Sequence, residues 1–206
     1  MSYQCARGNR NGKGSTIVEF AVAVPVLFGL VVGTLALGSA LTRMLQAGSV
    51  CRNANLLAVQ GFDMANRDSQ SLVVKTAAGM GRTLAGTPSW PDPSGKAAVV
   101  LTKVTRVGPK ACASGILNWD GNAASCRNYE QNVIVSRVVI GNQSRWHSEV
   151  GTPVSARNAK GALSSHDIAS VIGNRALDLP GSDGRSMLAH LKEDEQASIS
   201  EVFADI

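Results

Sequence analysis

The dominant pattern in the chain is one long apolar run close to its N-terminus. Phe20–Thr42 comprises 23 consecutive residues without a charge and is rich in Val, Leu, Ala and Gly. A helix rises about 1.5 Å per residue, so a run of this length spans a hydrocarbon layer of roughly 30 Å. No other stretch of the chain is comparably apolar. We therefore predict one transmembrane helix over residues 15–42, with a soluble domain on one side of the membrane.

A helical pattern continues beyond the apolar run. Between Met44 and Ala58, apolar residues recur at steps of three and four, which predicts that the helix extends as a stalk with one apolar stripe and ends near Gly61. A second helix is predicted from about Ser69 to Ala85. Residues 43–86 would then form an extracytoplasmic helical stalk and a second helix.

The rest of the chain has the pattern of a β-sheet domain. Gly86–Gly95 carries three prolines and predicts a turn or loop that ends the helical half. Beyond it, three runs rich in β-branched residues alternate in part between apolar and polar positions, namely 97–107, 132–140 and 197–206. We predict that the first two form a hairpin and that the third joins it as an antiparallel strand, within a domain at 96–206.

The segment between the second and third strand runs has little periodicity. Residues 141–195 are polar and rich in Gly and Ser, with 151–165 expected to be the least structured and a helical piece expected around 166–175. The fold class is therefore α+β: a long N-terminal membrane helix continues into a stalk, and a small antiparallel β-sheet domain follows.

Charges around the apolar run predict its orientation. Arg7, Arg10 and Lys13 precede it and no acidic residue comes before Glu19. By the positive-inside rule the N-terminus lies in the cytoplasm and the C-terminal domain lies outside. The formal charge of +5 falls to +2 without residues 1–14, and only 4% of residues are aromatic. A nucleic-acid partner therefore has little support.

Two of the four cysteines are spaced as a disulfide pair. Cys112 and Cys126 lie 14 positions apart around a loop rich in Gly and Asn. In an oxidising compartment a bond closing such a loop would stabilise the domain by about 3 kcal/mol on the chain-entropy model. Two reduced buried thiols remain the alternative, whereas a zinc site lacks C-x-x-C pairs and nearby histidines. Cys5 lies in the proposed leader on the cytoplasmic side. Cys51 is left over and is expected to be a small buried apolar residue rather than a partner for another chain.

The sequence contains no recognisable catalytic motif. It lacks G-x-S-x-G, a Walker loop and H-E-x-x-H. His147, His166 and His190 are scattered in polar segments and are expected to be solvated, as is the charged run 192–195. We therefore expect no enzyme, no catalytic residue, no metal site and no cofactor.

The residues before the apolar run resemble a known processing site. Gly14 is followed by Ser15-Thr16-Ile17-Val18-Glu19-Phe20, which resembles the type IV pilins and pseudopilins. Their basic leader ends in Gly, a prepilin peptidase cuts after it, and Glu follows at the fifth mature position, where Glu19 stands when Ser15 is counted first. With Phe20 where the aromatic is commonly Tyr, the form is most similar to the Flp/Tad branch.

The similarity extends over residues 8 to about 60, which resemble the TadE-like proteins, minor pseudopilins of the tight-adherence pilus. This resemblance implies a cytoplasmic leader peptide at 1–14 and a processing site at Gly14 and Ser15. It also implies that Glu19, beside Phe20, pairs with the N-terminal amine of a neighbouring subunit. The alternative is that Glu19 is only an anion in the first helical turn, where the helix dipole favours negative charge.

Two further features of the apolar run concern packing. Pro25 removes a backbone donor and would usually kink a helix, although membrane helices tolerate proline. Gly29 and Gly33 form a G-x-x-x-G pair, which predicts a face for close packing against another helix. Glycine is also common in membrane helices that lack such a face.

The resemblance implies a minor pseudopilin of a Tad-type pilus, with the prepilin peptidase, other pilins or pseudopilins and inner-membrane pilus assembly proteins as partners. It would cross the inner membrane once and carry a periplasmic or extracellular domain, or enter a pilus. The alternative function is a single-pass membrane-anchored extracytoplasmic binding protein. Only the pseudopilin requires a cut between Gly14 and Ser15. A weak signal-peptidase site at Gly38-Ser39-Ala40 predicts a different N-terminus.

Overall fold

A computed structural model describes residues 13–79, 86–87, 90–91, 97–142, 146–177 and 188–204. The chain divides into two compact units, Met1–Met44 and Leu45–Ile206. The fold is α+β, because a long N-terminal apolar helix is followed by a small antiparallel sheet of three strands. The predicted leader, residues 1–14, lies mostly outside the described residues.

Helix α1 spans Lys13–Val59 and is 47 residues long. Pro25 lies inside it without interrupting the helical assignment. The helix ends in a Schellman turn, in which Gly61 has φ +86° and the backbone N–H of Phe62 donates to the carbonyl of Leu57 at 3.1 Å. The predicted end near Gly61 is therefore confirmed, and glycine is required there because the turn needs a left-handed backbone.

Helix α2 spans Arg67–Gly79. Asn66 caps its first turn, since its side-chain oxygen accepts from the backbone N–H of Asp68 at 3.1 Å. The helix begins two residues before the predicted Ser69, and residues 80–85 of the prediction lie outside the described residues. In the predicted turn after it, β1 (Gly86–Thr87) pairs with β2 (Trp90–Pro91) as two-residue antiparallel strands.

The main sheet has the order β4-β3-β5 and is antiparallel throughout. Its strands are β3 (Ala97–Arg106), β4 (Asn132–Gly141) and β5 (Gln196–Ala204). The predicted hairpin and the third antiparallel strand are thus confirmed. The observed bounds of the strands differ from the predicted bounds by one residue at most, except that residues 205–206 of the third lie outside the described residues. The hairpin prediction left open which strand would be central, and the structure places β3 there.

The sheet is covered on both faces. Alternate residues of β3, including Val99 and Leu101, pack with residues of α1 and α2 in one core cluster. A second cluster joins Val104 of β3 and Ile134 of β4 to Val150 in the long segment between β4 and β5. Because strand side chains alternate between faces, eight of the ten residues of β3 are buried.

The loop closed by the cysteines contains a helix that the sequence pattern did not predict. Helix α3 spans Pro109–Gly115, with proline at its start. Cys112 and Cys126 form a disulfide with a Cα–Cα distance of 5.9 Å, as predicted, and both are buried in a third cluster. Helix formation was missed because seven residues are too few to show a 3.6-residue period.

The long segment between β4 and β5 has little regular secondary structure, and specific hydrogen bonds hold it in place. Helix α4 spans Ser165–Ser170, and a 3-10 turn follows at Ile172–Asn174, in place of one helical piece at 166–175. The interruption lies at Val171, whose backbone is extended with φ −93° and ψ 108°. Asn174 is buried, and its side-chain oxygen accepts from the backbone N–H of Val154 at 3.0 Å. The stretch expected to be least structured therefore lies against the turn after α4.

Candidate functional site

The described part of the first unit exposes an apolar surface. Every residue from Val18 to Leu45 is exposed, with side chains of Phe20 and Phe28 about 71% and 69% accessible. Apolar side chains at this density are buried in lipid or against other helices in nearly all proteins. Val18–Val59 is long and apolar enough, by length and composition, to cross a membrane.

Three hydroxyl groups of the apolar run form hydrogen bonds within the helix. The hydroxyl groups of Thr34, Ser39 and Thr42 each donate to a backbone carbonyl three or four residues earlier, at 2.9, 2.8 and 2.8 Å. These side chains therefore present no unsatisfied donor to an apolar environment. Glu19 is the one charged residue between Val18 and Thr42, and it is exposed.

The positions of the predicted processing and assembly residues follow from the helix. Gly14 and Ser15 lie in the first turn of α1. Only their backbone is described. Ser15 and Glu19 are four positions apart, so they share one face of the helix about 6 Å apart along its axis. Helical side chains point toward the N-terminus, which directs the Glu19 carboxylate toward the Ser15 end.

The two glycines of the G-x-x-x-G pair have no packing role within the described chain. A Cβ atom added at Gly29 or at Gly33 would meet nothing within 4 Å. They lie one turn apart on one face and leave a smooth strip of backbone. Any requirement for glycine here would therefore come from a contact with another molecule.

The second unit holds polar contacts that the sequence did not predict. Cys51, half-buried on α1, donates from Sγ to the carbonyl of Ser200 on β5 at 3.0 Å. Asp194 accepts hydrogen bonds from the backbone of Gly108 and Ala111 at the start of α3, at 3.2 and 3.1 Å. The expectation that residues 192–195 are simply solvated is wrong for Asp194. Its carboxylate instead binds the backbone of a segment 83 or more positions earlier in the chain.

The arrangement contains no recognisable reaction centre among the described residues. His147, His166 and His190 are all exposed and lie in separate segments. In the described part of the chain, no group of three or more His, Cys, Asp or Glu side chains is placed to hold a metal ion.

A family model described as TadE-like protein matches residues 14–54 of the chain. The match begins at Gly14 and includes Glu19, the whole apolar run and the first part of the stalk. Searches of the curated proteins and of the solved structures give no match. The matched segment supports a protein associated with the Tad pilus, and the sheet domain lies outside it.

Proposed function

Residues 14–54 form a TadE-like segment, and from this premise we propose that the chain is a minor pseudopilin of a Tad-type pilus. In this proposal a prepilin peptidase removes residues 1–14, and Ser15 becomes the mature N-terminus. The helix then remains in the inner membrane, with the sheet domain on the periplasmic or extracellular side, until it joins other pilins or pseudopilins through inner-membrane assembly proteins. Its role is structural rather than enzymatic.

The observation that carries this proposal is the position of Glu19 on an otherwise uncharged, fully exposed apolar helix. A carboxylate near hydrocarbon costs about 2.5–3.5 kcal/mol at the centre of a membrane helix, and less toward the end, unless a partner compensates it. Cleavage before Ser15 creates a positive α-amine that Glu19 of a neighbouring subunit can pair with. That pairing would favour one axial register between subunits.

An intrachain pair competes with this contact. The Ser15 amine and the Glu19 carboxylate of one mature chain share a helix face one turn apart. Pairing between neighbours must therefore be stronger than pairing within the chain for assembly to use it. Packing of the smooth Gly29–Gly33 strip against another helix would supply the additional contact.

The first test is the position of the N-terminus. The full chain is expressed with its prepilin peptidase, extracted from membranes and analysed by intact mass spectrometry. We expect a chain that begins at Ser15. Gly14→Ala should be cut more efficiently than Gly14→Val, because a cleavage site built for glycine excludes branched side chains by sterics. A chain that keeps residues 1–14 contradicts the proposal and favours a membrane-anchored binding protein. A chain that begins near Leu41 also contradicts it, because cleavage there removes the apolar helix.

The second test separates a pairing role of Glu19 from a helix-dipole role. Glu19→Gln should leave cleavage and membrane insertion largely intact, because an amide costs less to bury than a charge. It should abolish copurification with partner pilins. Loss of a dipole contact alone would cost only about 0.3–1 kcal/mol of helix stability and leave assembly in place.

Glu19→Asp is the matched variant for this test. It keeps the charge and shortens the side chain by one methylene group. Partial assembly by this variant, with none by Glu19→Gln, indicates an ion pair that depends on distance. Normal assembly by Glu19→Gln removes the carboxylate–amine mechanism.

A further inference from the structure

Lys103 is the only exposed residue of β3, the central strand of the main sheet. Because strand side chains alternate between faces, Leu101, Lys103 and Thr105 share one face. Leu101 packs with residues of α1 and α2 in one core cluster. Val133, directly opposite Thr105, packs in another cluster with residues of α3 and α4. The cover of this face is therefore interrupted at Lys103, between two pairs of helices.

Two hydroxyl groups flank Lys103 in the same row of the sheet. Ser136 of β4 and Ser198 of β5 are each directly opposite Lys103 in the strand register. Directly opposite side chains lie on one face, and neighbouring strands are about 4.8 Å apart. Neither hydroxyl group is buried, and neither forms a hydrogen bond with another described residue. One cation and two unpaired hydroxyl groups therefore stand side by side on this face.

A cavity lies over this row. It has a volume of about 260 Å³, and Lys103, Ser136 and Ser198 all line it. Phe62, 47% exposed in the turn after α1, and Lys160, from the segment after β4, also line it. Its volume is close to the lower end of the range of about 300–1,000 Å³ that is typical of small-molecule sites. The row of polar side chains is therefore open to a small ligand.

One acidic residue also lines the cavity, and its charge is partly compensated. Oδ1 of Asp63 accepts from the backbone N–H of Ala65 at 3.1 Å, and Oδ2 lies 4.0 Å from Nζ of Lys160. Lys103, in contrast, forms no ion pair with another described residue. Two lysines and one aspartate give the lining a net positive charge. The electrostatics of the cavity therefore favour an anion.

We propose that this cavity binds a phosphate group, held by Lys103 between the hydroxyl groups of Ser136 and Ser198. A lysine ammonium is a compact point charge with three donors, which suits the oxygens of a tetrahedral phosphate, whereas a planar carboxylate is matched better by the fork of an arginine. Lys160 adds a second cation, and the wall formed by Phe62 is suited to the carbon part of a phosphate ester. The site lies in the second unit and does not depend on the pilus function.

The experiment observes the three residues of the row directly. Sodium phosphate is titrated into the ¹⁵N-labelled full chain in detergent at constant pH, with sodium chloride adjusted to keep the ionic strength constant. We expect the backbone amide resonances of Lys103, Ser136 and Ser198 to shift and to saturate with one dissociation constant. Shifts that grow linearly without saturation, as screening alone gives, overturn the proposal.

Lys103→Gln is the decisive variant, because an exposed side chain without an ion pair can be replaced without loss of the fold. The phosphate affinity should fall about tenfold or more, as expected for loss of a charge-assisted contact. Lys75→Gln is the matched control, since it removes the same charge from an exposed residue of α2 outside the cavity. Equal affinity in wild type and Lys103→Gln, or an equal loss in Lys75→Gln, contradicts the site.

Asp63→Asn should change the affinity in the opposite direction. The amide oxygen can still accept from the backbone N–H of Ala65, but the negative charge that repels phosphate is lost and Lys160 no longer has an acidic partner. The phosphate affinity should therefore rise about twofold to fivefold, the range expected for one exposed charge. An unchanged or lower affinity would mean that the anion lies outside this cavity.

Two further arms define the ligand. Saturable binding of acetate that is at least as tight as that of phosphate would overturn the assignment to phosphate. Glycerol 3-phosphate is then compared with inorganic phosphate. Tighter binding of glycerol 3-phosphate would support a phosphate ester, with its carbon part against Phe62, whereas equal or weaker binding would support inorganic phosphate itself.

Discussion

At the residue scale, a single carboxylate joins two distant parts of the domain. Asp194, just before β5, accepts from the backbone N–H groups of Gly108, Lys110 and Ala111 at the start of α3. It thereby supplies the capping group that Gly108, which has no side chain, does not provide. A Cβ atom on Gly108 would lie 2.8 Å from the Asp194 carboxylate, so glycine is what permits this close approach.

Asp194→Asn should therefore destabilise the domain. An amide keeps one acceptor but loses the charge that three backbone donors share, and we expect a loss of about 1–2 kcal/mol, or about 2–8 °C in melting temperature. Thermal unfolding followed by circular dichroism measures this. Glu193→Gln is the control, because it removes one charge at the adjacent exposed position; an equal loss there would show that net charge and not capping is responsible.

Cys51 gives a second prediction at this scale. Its thiol is half-buried and donates to the backbone of β5, so alkylation by iodoacetamide should be slow in the folded protein and rapid in urea. Peptide mapping under non-reducing conditions should recover the Cys112–Cys126 crosslink and leave Cys51 as a free thiol. A crosslink from Cys51 to either of the other two cysteines would contradict the strand pairing.

At the scale of elements, α1 changes its role along its length. Its exposed apolar part is followed by a stripe of small residues, Val50, Ala54 and Ala58, which are buried in the core cluster against the sheet. Their spacing of four positions places them on one face. Small side chains on that stripe let the helix approach the strands closely.

Ala54→Leu tests this packing. Ala54 is completely buried, so a larger side chain must displace its neighbours and should cost about 1–3 kcal/mol. Urea denaturation of the full chain in detergent measures the free energy of unfolding. Leu56→Ala, at a site 54% exposed on the same helix, should change stability by no more than about 0.5 kcal/mol. Similar losses in both variants would place the stripe outside the core.

At the scale of the whole molecule, the two units differ in what stabilises them. The hydrophobic core clusters of the described residues are composed of residues from Val50 onward. The first unit instead exposes its apolar side chains over Val18 to Met44. Its apolar surface would be stabilised by lipid or by other helices rather than by a core of its own.

A chain containing only residues 45–206 should therefore fold by itself. We expect a water-soluble monomer with a cooperative thermal transition and an intact Cys112–Cys126 disulfide, as size-exclusion chromatography, circular dichroism and peptide mapping would show. The full chain should require detergent. Aggregation of the shorter chain, or loss of its cooperative transition, would mean that residues before 45 contribute to folding of the sheet domain.

The sequence by itself determined the features that depend on neighbouring residues. The apolar helix follows from an uninterrupted run of uncharged residues, and the strands follow from β-branched runs between turns. The disulfide follows from two cysteines close in sequence, and the match to the TadE-like family model lies within residues 14–54, which include the motif at Gly14–Phe20. Each of these signals lies within a few turns of helix or one loop, where spacing alone constrains the structure.

Only the tertiary structure decided the contacts between distant residues. The central position of β3, the capping of α3 by Asp194 and the burial of Arg137 each require segments far apart in the chain to meet. Arg137 is the clearest example. Alternation along β4 predicts on which face of the sheet its side chain lies, but it does not predict that both faces are covered. A charged residue in a strand is ordinarily solvated, so its burial depends on the loop after β4 that folds over it, and periodicity carries no information about that loop.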